Sequence, residues 1–317
     1  MAVMAGTLRT ISHSKQLPAV RLVLAFVGCL ILQQSLLAHS FGDSLVVVYT
    51  GGMRGRANGC GCNSGPEGGL DRRTTLLKQQ LGDASYIALD CGGILDLDPE
   101  GGMYRSKCTI RGLAREELKA IAVSSRDLFY GTKFLSDVAS ETGVKLLSCN
   151  IVLNADKSKS LYDRSLTISF GGREIIVTGL TLPVQPRSGI EQGSWTALAP
   201  DSIHEQLDSA RLSEADLSIL LTDLDEASLR RFLQTTDAFD IALTSSPQVY
   251  SATPFKIGTC IVLHPDNSGR SFEAMIVPPY GDLAGIRLIR QPISRTTPPD
   301  PETAKWLEDC LGKAPVK

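Results

Sequence analysis

A strand–helix–strand pattern early in the chain limits the fold more than any other feature. The segment SLVVVYT over 44–50 is typical of a buried strand, GLDRRTTLLKQQL over 69–81 of a helix, and SYIALD over 85–90 of a second buried strand. Two strands joined through a helix pair in parallel and place the helix on one face of their sheet. The sequence therefore predicts a layered α/β protein.

The same alternation continues along the chain. Further strands are predicted at 145–151, 215–222 and 239–244, and helices around 111–122, 130–141 and 226–234. Gly171-Gly172 joins two alternating runs within 165–179, which is typical of a β-hairpin. After Pro254 we predict strands near 257–264, 272–277 and 285–289, and a last helix at 301–311. These patterns predict a single domain over 43–317 with α/β layers and an antiparallel second sheet.

The first 42 residues have the character of an export leader. They hold no acidic residue, three basic residues and a long apolar stretch over 19–38. Ala38 and Ser40 are small residues that suit signal peptidase. We therefore expect residues 1–40 to be a signal peptide and the protein to be periplasmic or extracellular. The alternative is that 19–38 is retained as a membrane anchor, which would then be the only contact with a membrane.

The charge balance argues against nucleic-acid binding. The formal net charge is −2 at pH 7, and it becomes more negative once the basic leader is removed. Eight cysteines are present, of which Cys29 lies in the leader. The remaining number is odd, so at least one cysteine is free, bound to a metal or paired with a partner.

Two cysteines lie one residue apart in the glycine-rich loop TGGMRGRANGCGCNSGPEGG. Three interpretations of Cys60 and Cys62 remain open. They could form structural disulfides to a cysteine such as Cys91 or Cys108. They could form a strained, reducible redox pair beside several arginines, with a redox protein as partner. They could bind a soft metal such as copper or zinc, or a cluster, with Cys91 and Cys108 completing the set.

Taken together, eight motifs occur in the order and spacing of a known family. They are VVVYTGGMRG, GGLDRRTTLLKQQ, LDCGG, SSRDLFYGTKFL, LLSCNIV, VTGLTLP, ILLTDLDEA and FDIALTSS. Over about 44–290 the chain resembles the N-terminal domain of 5′-nucleotidases, which are calcineurin-like metallophosphoesterases. The Cys-Gly-Cys variant looks similar to exported, nucleotidase-like bacterial proteins. The resemblance implies a four-layer α/β/β/α sandwich with two metal ions.

The metal ligands that the resemblance implies are absent from the matching positions. The family's Asp-x-His after the first strand is Gly52-Met53-Arg54, and its Gly-Asp after the second is Gly92-Gly93. Its Gly-Asn-His-Glu is Ser124-Ser125-Arg126-Asp127, its Thr-His is Thr222-Asp223, and its Gly-His-x-His falls on Thr244-Ser245-Ser246-Pro247. We therefore predict a degenerate pocket formed by Gly52, Arg54, Asp90, Gly93, Arg126, Asp127, Asn150 and Asp223.

A count of histidines supports this interpretation. Beyond the leader the chain contains only His204 and His264, which are too few for a pair of hydrolytic metal ions. Arg54 and Arg126 either pair with carboxylates and fill the void, or bind a small anionic ligand. We thus expect an exported nucleotidase-like protein without phosphoesterase activity. The alternative is a phosphoester hydrolase that holds Mg²⁺ or Mn²⁺ with a rebuilt carboxylate site of Asp90, Asp127 and Asp223.

Overall fold

The computed structural model describes most of the chain beyond the leader. The described residues are 43–59, 67–183, 193–204, 207, 209–249, 251, 253–266, 268–279 and 283–312. Residues 41–317 form one compact unit. The predictions for the leader, 1–40, and for Cys60 and Cys62 fall outside the described residues.

Helices of very different length alternate with the strands. Those described are α1 (Leu70–Leu81), α2 (Gly102–Ala114), α3 (Thr132–Thr142), α4 (Ser209–Glu214), α5 (Glu226–Gln234) and α6 (Pro301–Leu311). Side chains of Asp225 and Asp300 accept backbone N–H bonds at the starts of α5 and α6. In the described residues, no helix combines the length and apolar character that crossing a bilayer requires.

Six strands form the first sheet in the order β14-β13-β1-β2-β3-β4. These are β1 (Leu45–Thr50), β2 (Ile87–Asp90), β3 (Leu118–Ala122), β4 (Lys145–Leu147), β13 (Ser271–Val277) and β14 (Arg287–Pro292). Strands β1 to β4 are parallel, and β13 and β14 extend them in antiparallel fashion.

A second sheet has the order β11-β12-β10-β9-β7-β6. Its strands are β6 (Ser165–Phe170), β7 (Arg173–Leu180), β9 (Leu217–Thr222), β10 (Ile241–Thr244), β11 (Phe255–Ile257) and β12 (Cys260–Leu263). Two short strands, β5 (Ile151–Leu153) and β8 (Trp195–Ala197), pair separately.

Three apolar cores separate four layers. One core lies between the outer face of the first sheet and α1, α2, α3 and α6, and contains Val46 and Ile110. The second lies between the two sheets and contains Val47 and Ile219. The third lies on the outer face of the second sheet, where Leu220 packs with residues of α5. The predicted α/β/β/α sandwich is confirmed.

Four sequence predictions were wrong in detail. The segments 145–151 and 257–264, each predicted as one strand, are divided between β4 and β5 and between β11 and β12. The helix predicted at 111–122 ends at Ala114, and 118–122 is strand β3, because Glu117 takes a left-handed backbone (φ 60°) that no helix continues through. The second sheet is mixed, since β7, β9, β10 and β12 are parallel and only its edge strands are antiparallel. The hairpin at Gly171-Gly172 is confirmed as the β6–β7 turn.

A disulfide fastens the last helix to the body of the fold. Cys108 in α2 bonds to Cys310 in α6, with their Cα atoms 6.1 Å apart. Lys78 in α1 contacts the carboxylate of Asp300, the residue that caps α6, at 2.5 Å. Helix α6 is therefore held against both α1 and α2.

Candidate functional site

The parallel strands of both sheets end at one common edge. Across it, the Ser245 hydroxyl donates to the carbonyl of Cys91 at 3.0 Å, and the Thr181 hydroxyl donates to the carbonyl of Val123 at 2.5 Å. Together with the Gly52 N–H bond to the Gly92 carbonyl and the Leu182 N–H bond to the Asp223 carboxylate, these contacts bring the loops after β1, β2, β3, β7, β9 and β10 together. These loops carry most of the residues of the predicted degenerate pocket, and ligand sites of α/β sheets form at such edges.

Asp90 ends β2 and is completely buried. Its Oδ2 accepts the Thr50 hydroxyl at 2.7 Å, and its Oδ1 accepts the Gly92 N–H at 2.7 Å. Burial raises the pKa of Asp90 to about 7, an effect that these two hydrogen bonds oppose and the neighbouring Asp127 carboxylate reinforces. Each carboxylate oxygen therefore already has a donor from within the fold.

Asp127 is also completely buried, in the short turn after β3. Its Oδ1 accepts the N–H groups of Ile94 at 2.8 Å and Leu95 at 3.2 Å. Its Oδ2 accepts the N–H groups of Gly93 at 2.8 Å and Ser124 at 3.0 Å, and the Ser124 hydroxyl at 2.7 Å. Burial raises its pKa, and these bonds act in the opposite direction. The protein's own carboxylate thus occupies a cradle of backbone N–H groups.

Asp223 follows β9 and is half-buried. Its carboxylate accepts the Leu182 N–H at 2.6 Å and a backbone bond from Ser125. Burial raises the pKa of Asp223 to about 7, and the Asp127 carboxylate adds to the shift. The Asp127 carboxylate therefore lies close enough to raise the pKa of both Asp90 and Asp223.

Asn150 was predicted to belong to the pocket, and its amide is fully used inside the fold. Its Nδ2 donates to the carbonyls of Thr181 at 2.7 Å and Leu198 at 2.9 Å. Its Oδ1 accepts the Thr181 N–H at 2.9 Å and the Ser148 hydroxyl at 3.1 Å. Because Asn150 is completely buried, this side chain joins loops and is not offered to a ligand.

The space between the ends of the two sheets is filled by close packing. A Cβ atom on Gly51 would lie 2.8 Å from the Cβ of Ser245, 3.0 Å from the Pro265 ring and 3.2 Å from the Cβ of Cys91. Real Cβ atoms almost never approach other atoms so closely. Residues from four loops therefore meet here without room for one methyl group at Gly51.

An acidic residue that the sequence analysis missed lies beside this packing. Glu273 in β13 is buried, and it accepts the Asp266 N–H at 2.9 Å and forms an ion pair with Arg290 at 3.0 Å. Arg290 also donates to the carbonyl of His264, whose Nε2 lies 2.8 Å from the Ser246 carbonyl. The lone acid in the strand SFEAMIV was the available signal. Burial raises the pKa of Glu273 and lowers that of His264.

Arginines line an open pocket at the rim of the same edge, which we call the arginine pocket. Its volume is about 400 Å³. Its charged lining residues are Arg54, Arg56, Asp96, Arg105 and Arg126. Arg105 donates from Nε to Asp96 at 2.7 Å and also pairs with Asp98, so one cation is shared by two carboxylates. Asn58 and Gly59 continue the lining toward residue 60.

The two predicted arginines of the degenerate pocket both lie in this lining. Within the described part of the chain, neither Arg54 nor Arg126 forms an ion pair with Asp90 or Asp127, whose oxygens accept the bonds given above. The predicted pairing that would fill a metal void is therefore wrong. Arg126 instead donates from Nε to the Leu95 carbonyl at 3.0 Å. Burial lowers the pKa of Arg126, and the nearby Arg54 charge lowers it further.

The two glycines of the predicted pocket bring its loops together. Gly52 donates its N–H to the Gly92 carbonyl at 2.8 Å, and a Cβ on Gly93 would lie 3.2 Å from the Gly52 Cα. Both glycines have positive φ angles, 59° at Gly52 and 73° at Gly93. The backbones after β1 and β2 therefore run side by side because neither loop carries a side chain at this crossing.

The cysteine predictions are changed by the disulfide. Cys108 is bonded to Cys310, so it is not available to the Cys60–Cys62 loop as a partner or as a metal ligand. Cys91 is a free, completely buried thiol with a raised pKa caused by burial. In the described residues, no group of three or more His, Cys, Asp and Glu side chains is arranged to hold a metal ion.

Comparisons with known proteins identify the fold. The sequence matches no family model and no curated protein. The structure is similar to the sulfate thiohydrolase SoxB of Thermus thermophilus, at 16% identity and a TM-score of 0.71 over 86% of this chain and 60% of that one. It is similar to a 5′-nucleotidase precursor from the same organism, at 16% identity and a TM-score of 0.70 over 85% of this chain and 58% of that one.

A smaller protein is similar along nearly its whole length. The calcineurin-like phosphoesterase YfkN of Bacillus subtilis gives a TM-score of 0.64 at 15% identity, over 85% of this chain and 97% of that one. The chain has the calcineurin-like metallophosphoesterase fold. The fold implied by the sequence resemblance is therefore confirmed. The chain spans about three fifths of SoxB and of the Thermus nucleotidase.

The metal pair that the metallophosphoesterase fold implies does not fit the residues present. The carboxylate oxygens of Asp90 and Asp127 accept hydrogen bonds from groups within the protein, and both polar amide atoms of Asn150 are already hydrogen-bonded. At Gly51 the packing leaves no room for even one added methyl group. Hydrolytic metal pairs need several imidazole and carboxylate ligands turned toward one cavity. This edge of the fold offers none of that arrangement in the residues described.

Proposed function

We propose that this chain is an exported, nucleotidase-like protein that has lost the dimetal hydrolytic site and acts by binding. The observation that carries the proposal is the set of hydrogen bonds that the Asp127 carboxylate accepts. Its two oxygens accept five hydrogen bonds from the loop after β2 and from Ser124. A carboxylate so committed would leave buried N–H groups without acceptors if it turned toward a metal ion.

Export is supported by the leader and by the disulfide. The first 42 residues have the charge and apolar pattern of a signal peptide or anchor. The bond between Cys108 and Cys310 persists in oxidising compartments such as the periplasm and the cell exterior. We therefore propose a periplasmic or extracellular location. Fractionation of cells that express the full chain tests this, and recovery in the cytoplasm with the leader uncleaved would contradict it.

The Cys60–Cys62 loop is proposed to carry sulfur chemistry, either a disulfide, a redox pair or a soft-metal site. Of the cysteines considered as additional ligands, Cys108 is bonded elsewhere and Cys91 is buried. This favours chemistry between Cys60 and Cys62 themselves, with a redox protein as a partner. Thiol counting with mass-spectrometric disulfide mapping on exported protein distinguishes the three possibilities.

The loss of hydrolysis is tested by metal content and activity together. Protein purified without chelator is expected to contain far less than one Mn, Zn or Fe atom per chain. It is also expected not to hydrolyse p-nitrophenyl phosphate when Mn²⁺ or Mg²⁺ is added. Two tightly bound metal atoms together with turnover of the ester would overturn the proposal.

A second candidate is a hydrolase that binds Mg²⁺ or Mn²⁺ through carboxylates. The observation in its favour is the proximity of Asp127 to both Asp90 and Asp223, with the pKa values of all three raised. A divalent cation would relieve that repulsion. Metal-dependent activity that Asp90→Asn abolishes, with the same change at the exposed Asp137 as a control, would favour this candidate.

A further inference from the structure

The arginine pocket holds positive charge that the surrounding residues leave unbalanced. Asp96 is neutralised by Arg105, whose Nε lies 2.7 Å from its carboxylate. This leaves the guanidinium groups of Arg54, Arg56 and Arg126 around the same opening. Within the described residues none of these three forms an ion pair, so the pocket carries a local excess of positive charge in a chain that is acidic overall.

Two of these arginines are held in place by one short segment, 93–95. The Arg54 N–H donates to the Gly93 carbonyl at 3.1 Å, and the Arg126 Nε donates to the Leu95 carbonyl at 3.0 Å. The Asp127 carboxylate fixes the same segment by accepting its three N–H groups. The backbone of Arg54 and the guanidinium of Arg126 are thus fixed before any ligand arrives, which lowers the entropy cost of binding.

The like charges of Arg54 and Arg126 lie close enough to oppose each other. The Arg54 charge lowers the pKa of the half-buried Arg126. Arg54 also has a positive φ of 52°, a backbone conformation that a side chain adopts at a cost. The fold therefore tolerates both repulsion and backbone strain to keep these two side chains at one opening.

The bond from Arg126 to Leu95 uses one of the five N–H groups of its guanidinium. Its terminal N–H groups, and the guanidinium groups of Arg54 and Arg56, remain available to a ligand from the described side of the pocket. A carboxylate is satisfied by one bidentate arginine, whereas a tetrahedral oxyanion presents several oxygens and up to two charges. The number and convergence of these donors favour the tetrahedral group.

We propose that the arginine pocket binds a tetrahedral oxyanion, a phosphate or sulfate group that is either free or the end of an ester. The pocket volume of about 400 Å³ lies in the range of small-molecule sites and has room for an ester group beyond the anion. This goes beyond the proposed loss of hydrolysis, because it assigns a ligand class to Arg54, Arg56 and Arg126 rather than to the carboxylates of the degenerate pocket.

The test is calorimetric titration of the full mature chain with inorganic phosphate, sulfate, glycerol 2-phosphate and acetate, in EDTA at low ionic strength. Phosphate and sulfate should bind saturably with a Kd at or below about 1 mM, and acetate at least about tenfold more weakly. Affinity should fall as salt is added. Tighter binding of glycerol 2-phosphate assigns the site to esters, and tighter binding of the inorganic ions assigns it to free anions.

Two variants locate the site. Arg126→Gln and Arg54→Gly should each raise the Kd for phosphate about tenfold or more, because each removes charged donors. Arg126→Lys should restore part of the affinity, since it keeps the charge and loses the fork. The matched control is Arg230→Gln, which removes the same charge from an exposed pair with Glu226 in α5 and should leave the Kd unchanged.

Three results would overturn this proposal. They are the absence of saturable phosphate and sulfate binding, native-like binding by both pocket variants when circular dichroism shows them folded, or equal weakening by Arg230→Gln. None of these depends on phosphatase activity. A metal-dependent activity found in the separate assay would contradict the proposed function and leave the anion measurement intact.

Discussion

The Asp127 carboxylate accepts the Ile94 N–H at 2.8 Å, and this bond joins the turn after β3 to the loop after β2. The two residues are 33 positions apart in the chain. With the bonds to Gly93 and Leu95, it makes Asp127 the anchor of the loop that faces the arginine pocket. An acid of the predicted degenerate pocket thus serves to shape the backbone.

Replacing Asp127 with asparagine should destabilise the fold strongly. The amide N–H₂ would face N–H donors that the Oδ2 atom now accepts, leaving buried groups unpaired. We expect a loss of about 3 kcal/mol in the free energy of unfolding, measured by urea denaturation. Asp137→Asn, on the exposed face of α3, should leave the urea midpoint unchanged. Equal effects of the two changes would contradict the anchoring role.

The stability of the protein should fall as the pH rises from about 4 to about 7 through the titration of Asp90. The pKa of Asp90 is raised from 3.8 to about 7 by burial, so the folded chain binds a proton that the unfolded chain releases. Its stabilising contribution is present below the unfolded pKa and lost as the pH passes the folded one.

The measurement is the urea midpoint of native protein and of Asp90→Asn across this pH range. Asp90→Asn should flatten the dependence, because its side chain does not titrate. The remaining slope is assigned to the other buried acids with raised pKa values, which are Asp127, Asp223 and Glu273. A slope that is identical in native protein and in Asp90→Asn would show that Asp90 does not titrate in this way.

Removing the Cys108–Cys310 disulfide should lower the thermal midpoint. The bond closes a loop with a sequence separation of 202 residues, for which the chain-entropy model gives an upper bound of about 5 kcal/mol. The double variant Cys108→Ser with Cys310→Ser should unfold at a lower temperature than the oxidised native chain. Reductant should destabilise native protein more than the double variant. An identical response of both would mean that the sensitive bond lies elsewhere.

Glycine at position 54 should improve folding while it weakens anion binding. Arg54 has φ 52°, so Arg54→Gly relieves backbone strain and should raise the free energy of unfolding by up to about 1 kcal/mol. Arg56 has no positive φ, so Arg56→Gly should lower it by about 0.5–1 kcal/mol through unfolded-state entropy. Thermal unfolding of both variants checks the contrast. Loss of stability in Arg54→Gly would show that its side chain is structural.

The first strand–helix–strand unit could be predicted from the sequence because its periodicities are unambiguous. Strands β1 and β2 and helix α1 begin within two residues of the predicted positions. Residues 111–122 could not, since LAREELKAIA contains helix formers throughout and the change to strand β3 depends on the left-handed backbone at Glu117. The pattern of residue types does not show that one residue has a positive φ angle.

The site was predictable only in its composition. With two histidines beyond the leader, the sequence predicts that a metal pair would lack ligands, and this stays a prediction. The hydrogen-bond partners of the acidic side chains could not be predicted, because Asp127 bonds to backbone N–H groups, which every residue type except proline has. The prediction that Arg54 and Arg126 pair with these carboxylates was wrong for the same reason, because backbone N–H groups already donate to the carboxylate oxygens.

Segment 93–95 serves two tasks with the same atoms. Its N–H groups satisfy a buried acid, and its carbonyls accept the Arg54 backbone N–H and the Arg126 Nε–H at the mouth of the cleft. A substitution that displaces this backbone should therefore disturb the hydrogen bonds of Asp127 and the position of Arg126 together.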